Sequence, residues 1–454
     1  MRPPLLLRNV SVEGVDRTDV LVRGGRVAGI GPAAHTSGAR ELDLAGGAVL
    51  PGLHDHHCHV LAMAAARDSV ACGPPEVGTA TAFAAALRRA VPRRGWVRAV
   101  GFHESVAGEL DRQVLDRIRC DVPVRVQHRS GALWVLNSSA LRQVGLDRPV
   151  PGEPQGVERD SDGVATGRLW RCDAWLRQRV GPGPAPDVSA VSEELSSYGI
   201  TGITDATPEL DDSAVTLLRS SALRQRAVLL GDPASDAPRK IVVSDHALPS
   251  PAELVALIER ARPRPVAVHC VTRVALVLTL AALTELGTVP GDRIEHAAVV
   301  PPELRQVLAR LALTVVTQPS LPALRGDRYL DDVDAVDREH LWPFASLLAA
   351  GVPVGCSSDA PYGSPDPWFA VASAVARRSA SGRAVAPAER VAARTALRGY
   401  LTDPSDPGGA PRRVAVGAAA DLVLLDGGLD DVLDDPHAGH VRYCVIDGEV
   451  VHAR

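Results

Sequence analysis

Near the start of the chain, apolar and polar residues alternate over short runs, which is a pattern typical of β-strands. Val20–Arg23 and Arg26–Ile30 flank Gly24-Gly25, a pair suited to the positive φ angles of a two-residue hairpin. We therefore predict that the first fifty residues form short strands joined by tight turns.

The last forty residues repeat this pattern. Ala420–Leu425 is an apolar run, and Asp447-Gly448 connects Val441–Ile446 to Glu449–His452. Two β-rich ends that bracket a long middle segment predict a small β-sandwich built from both termini, residues 1–50 and 412–454.

The middle segment, 51–411, has a different pattern. Continuous apolar runs such as Thr314–Thr317 are separated by stretches rich in Ala, Leu and Arg, such as Pro302–Leu311. Short apolar strands that alternate with helices indicate a parallel sheet buried on both faces. The other such runs predict strands at Val266–Val268 and Val352–Gly355 and helices at Pro251–Arg262 and Val271–Leu286.

Segments rich in Gly and Pro interrupt the middle segment. Two of them, Pro149–Gly156 and Gly181–Pro186, frame an insertion around residues 100–190. Three strand-like runs lie between residues 97 and 204, one more than a barrel needs there, and the sequence does not say which is extra. Two further breaks are predicted at Gly231–Pro238 and Asp403–Pro411.

The densest cluster of reactive side chains is Pro51-Gly52-Leu53-His54-Asp55-His56-His57-Cys58-His59. In an extended strand alternate residues share a face, so Asp55, His57 and His59 point one way and the residues between them point the other. Two imidazoles two residues apart can chelate one metal ion. An accidental His-rich loop is the alternative, but four histidines within six residues after a Pro-Gly entry favour a metal site.

Further candidates follow later strand-like runs. His269 follows Val266–Val268, and His296 follows Asp292-Arg293-Ile294-Glu295. Asp359 follows Val352–Ser358. Any one of them alone could be a buried histidine or a helix-capping aspartate. Together they lie at the carboxyl ends of strands, where barrel enzymes build their active sites. Imidazole and carboxylate are also the ligands that zinc and similar ions prefer.

Composition adds one candidate and excludes some partners. The net charge is 49 − 54 = −5 and aromatic residues make up 3%, so neither a phosphate-tracking surface nor a base-stacking platform is expected. Of the 49 basic residues, 48 are Arg, and the single Lys stands at position 240, directly before the apolar run Ile241–Val243. The bias towards Arg is attributed to GC-rich codons.

Lys240 differs chemically from the arginines around it in the sequence. Arg cannot lose its proton at usable pH, whereas a partly buried Lys can. A neutral amine can then take up carbon dioxide to give a carbamate, which is a carboxylate able to bridge two metal ions. A surface lysine retained by chance is the alternative, but the strand context favours a functional role.

The cysteines and the hydropathy indicate the compartment. Seven cysteines, an odd number never spaced as CxxC, predict neither a zinc ribbon nor a disulfide framework, so a reducing compartment is expected. The apolar run Leu5–Leu7 is too short for a signal peptide. Pro343 and Gly351 are among the residues that break the longest uncharged stretch, so no membrane span is expected. We predict a cytoplasmic protein.

The order Pro51-Gly52-x-x-Asp55-x-His57-x-His59, Lys240, His269, His296 and Asp359 resembles the signature of the amidohydrolase superfamily of metal-dependent hydrolases, over nearly the whole chain. The middle is similar to the branch, amidohydrolase family 3, that contains YtcJ-like proteins and N-substituted formamide deformylase. The resemblance implies a (β/α)8 TIM-like barrel, with a β-sandwich from both termini and an insertion in the barrel. The segments similar to this branch are Gly101-Phe102-His103-Glu104-Ser105, Asn137-Ser138, Tyr198-Gly199-Ile200-Thr201, Arg293-Ile294-Glu295-His296, Thr317-Gln318-Pro319-Ser320 and Ser358-Asp359-Ala360-Pro361.

The resemblance also implies a mechanism: a metal-activated hydroxide hydrolyses a carbon–nitrogen bond in a small-molecule amide, formamide or cyclic amide. Asp359 would accept the proton of the water and pass it to the leaving nitrogen. One or two divalent ions are implied, with zinc expected, and carbamylated Lys240 would bridge two ions. The implied ligands are His57, His59 and Asp359 for one ion and His269 and His296 for the second.

Several residues are expected around these ligands. Asp55 shares the face of His57 and could orient a ligand, and Glu295 is either a ligand-orienting group or part of a surface salt bridge. Four further residues either line the pocket and meet a polar or anionic substrate or form structural ion pairs. These four residues are His103, His128, Arg129 and Arg171.

The chain departs from the branch at three positions. The branch has a His soon after Gly131 and a Glu near Trp170, whereas this chain has Ala132 and Arg171, so a different substrate specificity is expected. His246 follows Asp245 where the branch has Gly, and it is either a substrate ligand or a loop residue.

Two alternative functions remain open at this point. A mononuclear deaminase of the same fold would place a Glu shortly after the strand-five histidine, but Cys270-Val271-Thr272-Arg273 follow His269 without a carboxylate. A catalytically silent scaffold would typically have lost metal ligands, and this chain has them all. The resemblance is compatible with a homodimer.

Overall fold

The computed structural model describes residues 3–12, 15–32, 38–74, 76–150, 152–181, 186–245 and 247–454. They form two compact units. The larger unit comprises Met1–Val60 and Val188–Arg454, and the smaller unit comprises Leu61–Asp187.

Six strands form the first segment of the larger unit. Their bounds are β1 (Leu5–Val12), β2 (Val15–Arg23), β3 (Arg26–Ile30), β4 (Arg40–Asp43), β5 (Val49–Pro51) and β6 (Leu53–Cys58). The predicted hairpin is confirmed: Arg23 pairs with Arg26, and Gly24 and Gly25 have φ angles of 57° and 74°. Positive φ at both central residues is the requirement of the tight hairpin turn that glycine meets without strain.

The smaller unit alternates helices with short strands. Its elements are α1 (Val60–Arg67), β7 (Val70–Ala71), α2 (Ala80–Arg89), β8 (Val97–Phe102), α3 (Glu104–Ala107), α4 (Arg112–Ile118), β9 (Val124–His128), β10 (Leu133–Leu136), α5 (Ser138–Val144), β11 (Val157–Arg159), β12 (Ala165–Trp170) and α6 (Asp173–Val180). The strands form one sheet in the order β11-β12-β10-β9-β8-β7.

The prediction of three strand-like runs between residues 97 and 204 was wrong. Six strands lie in this range, and five of them, β8 to β12, belong to the sheet of the smaller unit. The physical reason is that β11 and β12 are short and carry charged residues such as Arg159 and Arg168, which remove the continuous apolar signal.

The rest of the larger unit begins with alternating helices and strands. These are α7 (Val188–Ser197), β13 (Ile200–Asp205), α8 (Asp212–Leu218), β14 (Arg226–Leu229), β15 (Arg239–Val242), α9 (Pro251–Glu259), β16 (Val266–Cys270), α10 (Arg273–Leu286), β17 (Arg293–His296), α11 (Pro302–Arg310), β18 (Thr314–Thr317), α12 (Leu321–Asp332), α13 (Ala345–Ala349), β19 (Val354–Cys356) and α14 (Pro367–Ala376). The predicted strands and helices of this segment are confirmed within a few residues at each end.

Local chemistry accounts for the helix ends that differ from prediction. Helix α9 stops at Glu259 rather than Arg262 because Pro263 has no N–H to bond the carbonyl four residues earlier. Helix α10 starts at Arg273 rather than Val271 because the hydroxyl of Thr272 accepts the N–H of Ala275 and caps the helix.

Eight strands of the larger unit run parallel, in two sheets. Strands β14-β13-β6 form a three-stranded sheet and β15-β16-β17-β18-β19 a five-stranded one. Within the described part of the chain, these ladders do not close into a barrel. Strands β6, β15, β16 and β17 carry predicted metal ligands, and Asp359 follows β19.

The chain ends in a second set of strands. The last elements are α15 (Ala393–Leu401), β20 (Thr402–Asp403), β21 (Asp406–Pro411), β22 (Leu422–Leu425), α16 (Leu429–Asp434), β23 (Val441–Ile446) and β24 (Glu449–Ala453), with 3₁₀ turns at Arg338–His340, Pro387–Glu389 and Ala438–His440. The predicted break at Asp403–Pro411 instead contains a two-stranded sheet, β20-β21. Prolines are tolerated in it because both of its strands are edges.

Both termini contribute to one apolar core. The four-stranded sheets β3-β2-β1-β4 and β24-β23-β22-β5 bury Leu7, Val20, Val49, Leu424 and Val445 in a single cluster. The second predicted hairpin is confirmed, since Asp447 and Gly448 have φ angles of 52° and 74° between β23 and β24.

Two properties of the whole described chain bear on the sequence-based expectations. Its seven cysteines are all free thiols, six of them buried. Among the described residues, no helix combines the length and apolar character that a membrane crossing requires.

Candidate metal centre

Strand β6 brings the predicted metal-binding residues to its carboxyl end. All six of its residues are buried, and its two faces differ as the alternation predicts. On one face, His57 and His59 lie with Asp359 so that one ligand atom of each is within 4.8 Å of the others. On the opposite face, His54 and His56 bond the hydroxyls of Thr204 and Thr402 at 2.9 Å through Nε2, so these two rings are engaged in the core, away from the predicted ligands.

Asp359 is tied to the end of β6 by backbone hydrogen bonds. Its N–H donates to the His57 carbonyl at 2.8 Å, and the His59 N–H donates to the Ala360 carbonyl at 2.9 Å. Its Oδ1 lies 3.6 Å from His57 Nε2 and 3.3 Å from His59 Nε2. Both Asp359 and His296 have left-handed backbone, with φ angles of 54° and 72°. Such strain in residues other than glycine persists where the surrounding structure enforces it, and it concentrates at functional sites.

Three adjacent parallel strands carry the remaining predicted ligands. Lys240 on β15 is 6% exposed, and its Nζ lies 3.4 Å from His57 Nε2. His269 on β16 and His296 on β17 lie with ring centroids 4.4 Å apart, and the His296 ring is 4.8 Å from that of His57. The structure therefore brings all six predicted ligands into one cluster.

Glu295 is buried in the cluster rather than engaged in a surface salt bridge. Its carboxylate bonds Nδ1 of His57 and, at 2.7 Å, Nε of Arg293, which is itself 2% exposed. Burial raises the pKa of Glu295, but Arg293, His57 and Lys240 outweigh it and hold that pKa well below its usual range. An ionised carboxylate can only accept, so Nδ1 of His57 carries the proton and its Nε2 lone pair faces the cluster.

Asp55 connects the two segments that carry ligands. It accepts the N–H of His57 at 3.1 Å and both the N–H, at 3.0 Å, and the hydroxyl of Ser358, the residue before Asp359. Burial raises the pKa of Asp55 to about 6 despite these hydrogen bonds. Its contacts are with the backbone around the ligands, so it fixes the spacing between β6 and the Asp359 segment.

The donor set fits a divalent metal ion. Burial lowers the pKa of His57 to about 3 and also lowers that of His296, so both rings are neutral and offer lone pairs, as metal ligands must. Nε2 of His296 is buried and has no hydrogen-bond partner among the described residues, which is costly unless another group binds it. Burial raises the pKa of Asp359, but the hydrogen bond from His59 and the nearby imidazoles lower it below its usual range.

The other predicted residues lie in the smaller unit or outside the described residues. His103 and His128 lie with Glu104 in a second compact group of potential metal ligands. Arg171 is exposed and has a φ angle of 53°, and Arg129 is partly buried, with its N–H donating to the Phe102 carbonyl at 2.8 Å. His246 falls outside the described residues.

Sequence reasoning missed several residues of these two groups. The amide oxygen of Gln318 accepts a hydrogen bond from Nδ1 of His296 at 2.8 Å, and the hydroxyl of Thr207 lies 3.4 Å from Nδ1 of His59. Gln318 directly follows β18 and Thr207 lies two residues after β13, so both stand at the carboxyl ends of parallel strands, which is a signal present in the sequence. Glu104 was noticed only as part of a segment, although it lies beside His103 in the sequence.

Comparisons with known proteins agree with this site. The sequence model of the amidohydrolase family matches residues 40–452. The N-substituted formamide deformylase of Arthrobacter pascens is 27% identical over 507 aligned residues, covering 93% of each chain. The putative amidohydrolase YtcJ of Bacillus subtilis (strain 168) is 24% identical, over 98% of this chain and 97% of that protein.

A solved structure supports the fold. The structure of an uncharacterized metal-dependent hydrolase from Pyrococcus horikoshii OT3 aligns with a TM-score of 0.74 at 18% identity, covering 96% of this chain and 99% of the other. The fold is thus a TIM-barrel-like α/β fold. Because the family match spans far more than half of its length, this chain belongs to the amidohydrolase family.

Proposed function

We propose that the cluster at the carboxyl ends of the parallel strands binds one or two divalent metal ions, with zinc as the expected ion. The observation that carries this proposal is the convergence of neutral imidazoles, a buried lysine and an ionised aspartate, with Nε2 of His296 buried and unpaired within the described residues. The ligands we assign are His57, His59 and Asp359 for one ion, His269 and His296 for the second, and carbamylated Lys240 as the bridge.

A divalent ion held by these residues would lower the pKa of a bound water molecule to about 7, and so would supply hydroxide at neutral pH and polarise the scissile carbonyl. The residues of the chain do the rest. Asp359 accepts a proton through Oδ1 and passes it to the leaving nitrogen, which departs poorly as an anion. Glu295 holds His57 in the required tautomer, and Asp55 holds the Asp359 segment against β6.

The bond cleaved is that of an amide, a formamide or a cyclic amide in a small molecule. Similarity to a protein named N-substituted formamide deformylase makes formamides the first class to examine. Ala132 and Arg171 stand where the branch has other residues, so the preferred substrate is expected to differ. His103, His128, Arg129 and Arg171 remain candidates for substrate contacts, as does His246.

We also propose the finer architecture that the sequence predicts. The eight parallel strands would be those of a (β/α)8 barrel within residues 51–411, with the insertion around 100–190 placed between its first and second strands. The shared core of the two terminal sheets supports a composite β-sandwich of residues 1–50 and 412–454. A cytoplasmic location and a homodimer stay proposals, the first resting on the free cysteines.

Removal of the metal should abolish hydrolysis and lower thermal stability. An ion that binds only the folded state stabilises it by about 4 kcal/mol when its free concentration is about 1,000 times its Kd. The measurement is a screen of formamides, N-acyl amino acids, cyclic imides and lactams, with nitrogen release as the readout. Each substrate is assayed before treatment with a chelator, after that treatment, and after zinc is added back. Equal turnover by metal-loaded protein and by chelated protein shown by analysis to have lost its metal would contradict the proposal.

Replacing Glu295 with Gln should weaken metal binding about 10- to 100-fold, the usual cost of removing a group that orients a metal ligand. The variant also leaves Arg293 buried without an ionised partner, so the free energy of unfolding should fall by about 3–5 kcal/mol. Metal affinity is measured by competition with a chromophoric chelator, and stability by urea unfolding of the metal-free protein.

Glu389→Gln is the matched control for this variant. Glu389 is also a buried carboxylate of the larger unit, where it accepts the N–H groups of Phe344 and Ser346 at 2.9 Å, outside the cluster of ligands. It should lose stability but bind metal as the wild type does. If both variants kept the wild-type metal affinity, the role of Glu295 would be refuted.

A further inference from the structure

Among the described residues, two groups of side chains are compact enough to hold a metal ion. The first group contains His57, His59 and Asp359, and we count with it the neighbouring His296, whose ring lies 4.8 Å from that of His57. The second group contains His103, Glu104 and His128, with Nε2 of His128 3.2 Å from a Glu104 oxygen. Distances between ligand atoms do not distinguish them. What distinguishes them is which ring nitrogen carries the proton, because a neutral imidazole binds a metal through the nitrogen that has a lone pair.

In the second group, backbone N–H groups determine the tautomer. The N–H of Ser105 donates to Nδ1 of His103 at 3.1 Å, and the N–H of Ser130 donates to Nδ1 of His128 at 3.1 Å. A backbone N–H cannot accept, so both Nδ1 atoms use their lone pairs and each neutral ring carries its proton on Nε2. The two Nε2 atoms that face Glu104 are therefore donors, not metal ligands.

Glu104 behaves as the acceptor of such a pair. Its Oε2 lies 3.2 Å from Nε2 of His128 and 3.6 Å from Nε2 of His103. The hydrogen bond from His128 lowers the pKa of Glu104 to about 2, so the carboxylate is ionised at neutral pH. Of these two contacts, only the one from His128 is a hydrogen bond, and Nε2 of His103 lies beyond hydrogen-bond distance of the same oxygen. Because both Nε2 atoms carry protons, a metal ion bound between them would have to displace both.

In the first group the tautomer is the opposite one, and Gln318 fixes it at His296. The amide nitrogen of Gln318 lies 2.8 Å from the Ser357 hydroxyl and 3.4 Å from the Val316 carbonyl. The Ser357 hydroxyl in turn donates to the Thr317 carbonyl at 3.1 Å, so it accepts from Gln318. Because carbonyl oxygens only accept, the amide orientation follows from this network rather than from the shape of the side chain.

The amide oxygen of Gln318 then faces His296. It lies 2.8 Å from Nδ1 and can only accept, so Nδ1 carries the proton and Nε2 is left with a buried lone pair. The carboxylate of Glu295 has the same effect on His57. Two imidazoles of the first group thus offer Nε2 lone pairs, whereas both imidazoles of the second group offer Nε2 protons.

We propose that Gln318 is a positioning residue that holds His296 in the metal-binding tautomer, and that this choice of tautomer confines metal binding to the group of His57, His59 and Asp359 with its neighbours. The second group, His103, Glu104 and His128, binds no ion. This inference rests on the proposed function of the first group as a metal centre.

The test compares three substitutions of buried glutamines. Gln318→Leu removes the acceptor and should weaken metal affinity about 10- to 100-fold. Gln318→Glu keeps an oxygen acceptor for Nδ1 of His296 and should bind metal within about threefold of the wild type, since the tautomer is preserved. Gln225→Leu is the matched control, because Gln225 is also buried in the larger unit but bonds Ser192 and Ser196 away from the cluster.

A second readout does not depend on metal. In metal-free protein labelled with ¹⁵N-histidine, the signals of His296 should report a proton on Nδ1 in the wild type and in Gln318→Glu. They should report a mixture of tautomers in Gln318→Leu. If Gln318→Leu fails to fold, Ser357→Ala serves instead, because it frees the amide to rotate and should give a smaller shift in the same direction.

The second group is tested by metal content. His103→Ala and His128→Ala should leave the number of bound ions per chain unchanged, and loss of an ion in either variant would overturn the assignment. Metal affinity in Gln318→Leu equal to that of Gln225→Leu would overturn the role of Gln318 alone. Wild-type protein that binds no divalent ion at all would contradict the proposed function itself. The inference that metal binding is confined to the first group would then fail as well.

Discussion

Asp359→Asn should lower kcat by about 10²- to 10⁴-fold, the range that a positioned general base contributes. An asparagine cannot accept the proton of the attacking water, but its amide oxygen can still contact a metal ion. The variant should therefore retain most of its metal while losing turnover. Metal analysis and steady-state kinetics on the same preparation separate these two effects.

The pH dependence provides a further check on Asp359. Burial raises the pKa of Asp359, but the hydrogen bond from His59 and the neighbouring imidazoles lower it by more. The pKa of Asp359 therefore lies below its usual range. The carboxylate is thus ionised above its lowered pKa and loses its capacity as a base only as the pH falls through that value. The acidic limb of the kcat/KM profile that belongs to Asp359 should be absent in Asp359→Asn.

Asp292→Asn is the matched control. Asp292 is also a carboxylate of the larger unit and is more deeply buried than Asp359, but it lies at the amino end of β17, where it bonds Arg262 at 2.7 Å and accepts the N–H of Val266 at 2.8 Å. In barrel-like folds that end of the strands serves stability rather than catalysis. Asp292→Asn should lower the melting temperature without lowering kcat, and an Asp359→Asn enzyme as fast as Asp292→Asn would refute the proposed base.

The ligands could be predicted from sequence because each one is marked locally. His269, His296 and Asp359 follow short apolar runs, and the alternation of β6 separates His57 and His59 from the core histidines on its other face. The carboxyl ends of parallel strands lie at one edge of a sheet, so residues far apart in sequence meet there without any information about their contacts.

The partners of the ligands could not be predicted in the same way. Whether Glu295 faces the solvent or His57 depends on how β17 packs near the end of β6, and Glu295 follows His57 by 238 positions, so no local pattern encodes this contact. Gln318 carries no charge and no motif that marks it as a partner of His296. The strands of the smaller unit were missed for a related reason, since β11 and β12 alternate charged and apolar residues over only three to six positions.

These partners, more than the ligands, give the site its chemistry. A histidine in a buried cluster can be a metal ligand or a hydrogen-bond donor, and the difference is one proton. Nδ1 of His128 accepts a backbone N–H, whereas Nδ1 of His296 faces the Gln318 oxygen. If the second group binds no ion, as we propose, then residue types and distances alone would overestimate the number of metal sites among the described residues.

Lys240→Ala should lower turnover by more than about 10²-fold, because a bridging ligand costs more to remove than the outer groups whose loss costs about 10- to 100-fold. Burial lowers the pKa of Lys240 to about 8, so the neutral amine becomes more abundant as the pH rises towards and above that value. The neutral amine attacks the carbon of carbon dioxide and releases one proton to form the carbamate. Short carboxylic acids such as formate or acetate should partly restore activity to the alanine variant by taking the place of that carboxylate.

The carbamate itself can be observed because Lys240 is the only lysine in the chain. Wild-type protein incubated with metal and ¹³C-bicarbonate should show a single side-chain carbamate signal. Lys240→Ala should lack this signal. Lys240→Arg should lack it as well, because a guanidinium keeps its proton. The bound metal should fall from about two ions per chain towards one in both variants. A Lys240→Ala protein with wild-type activity and metal content would show that the lysine is merely buried beside His57, because a bridge between two ions cannot be removed without losing one of them.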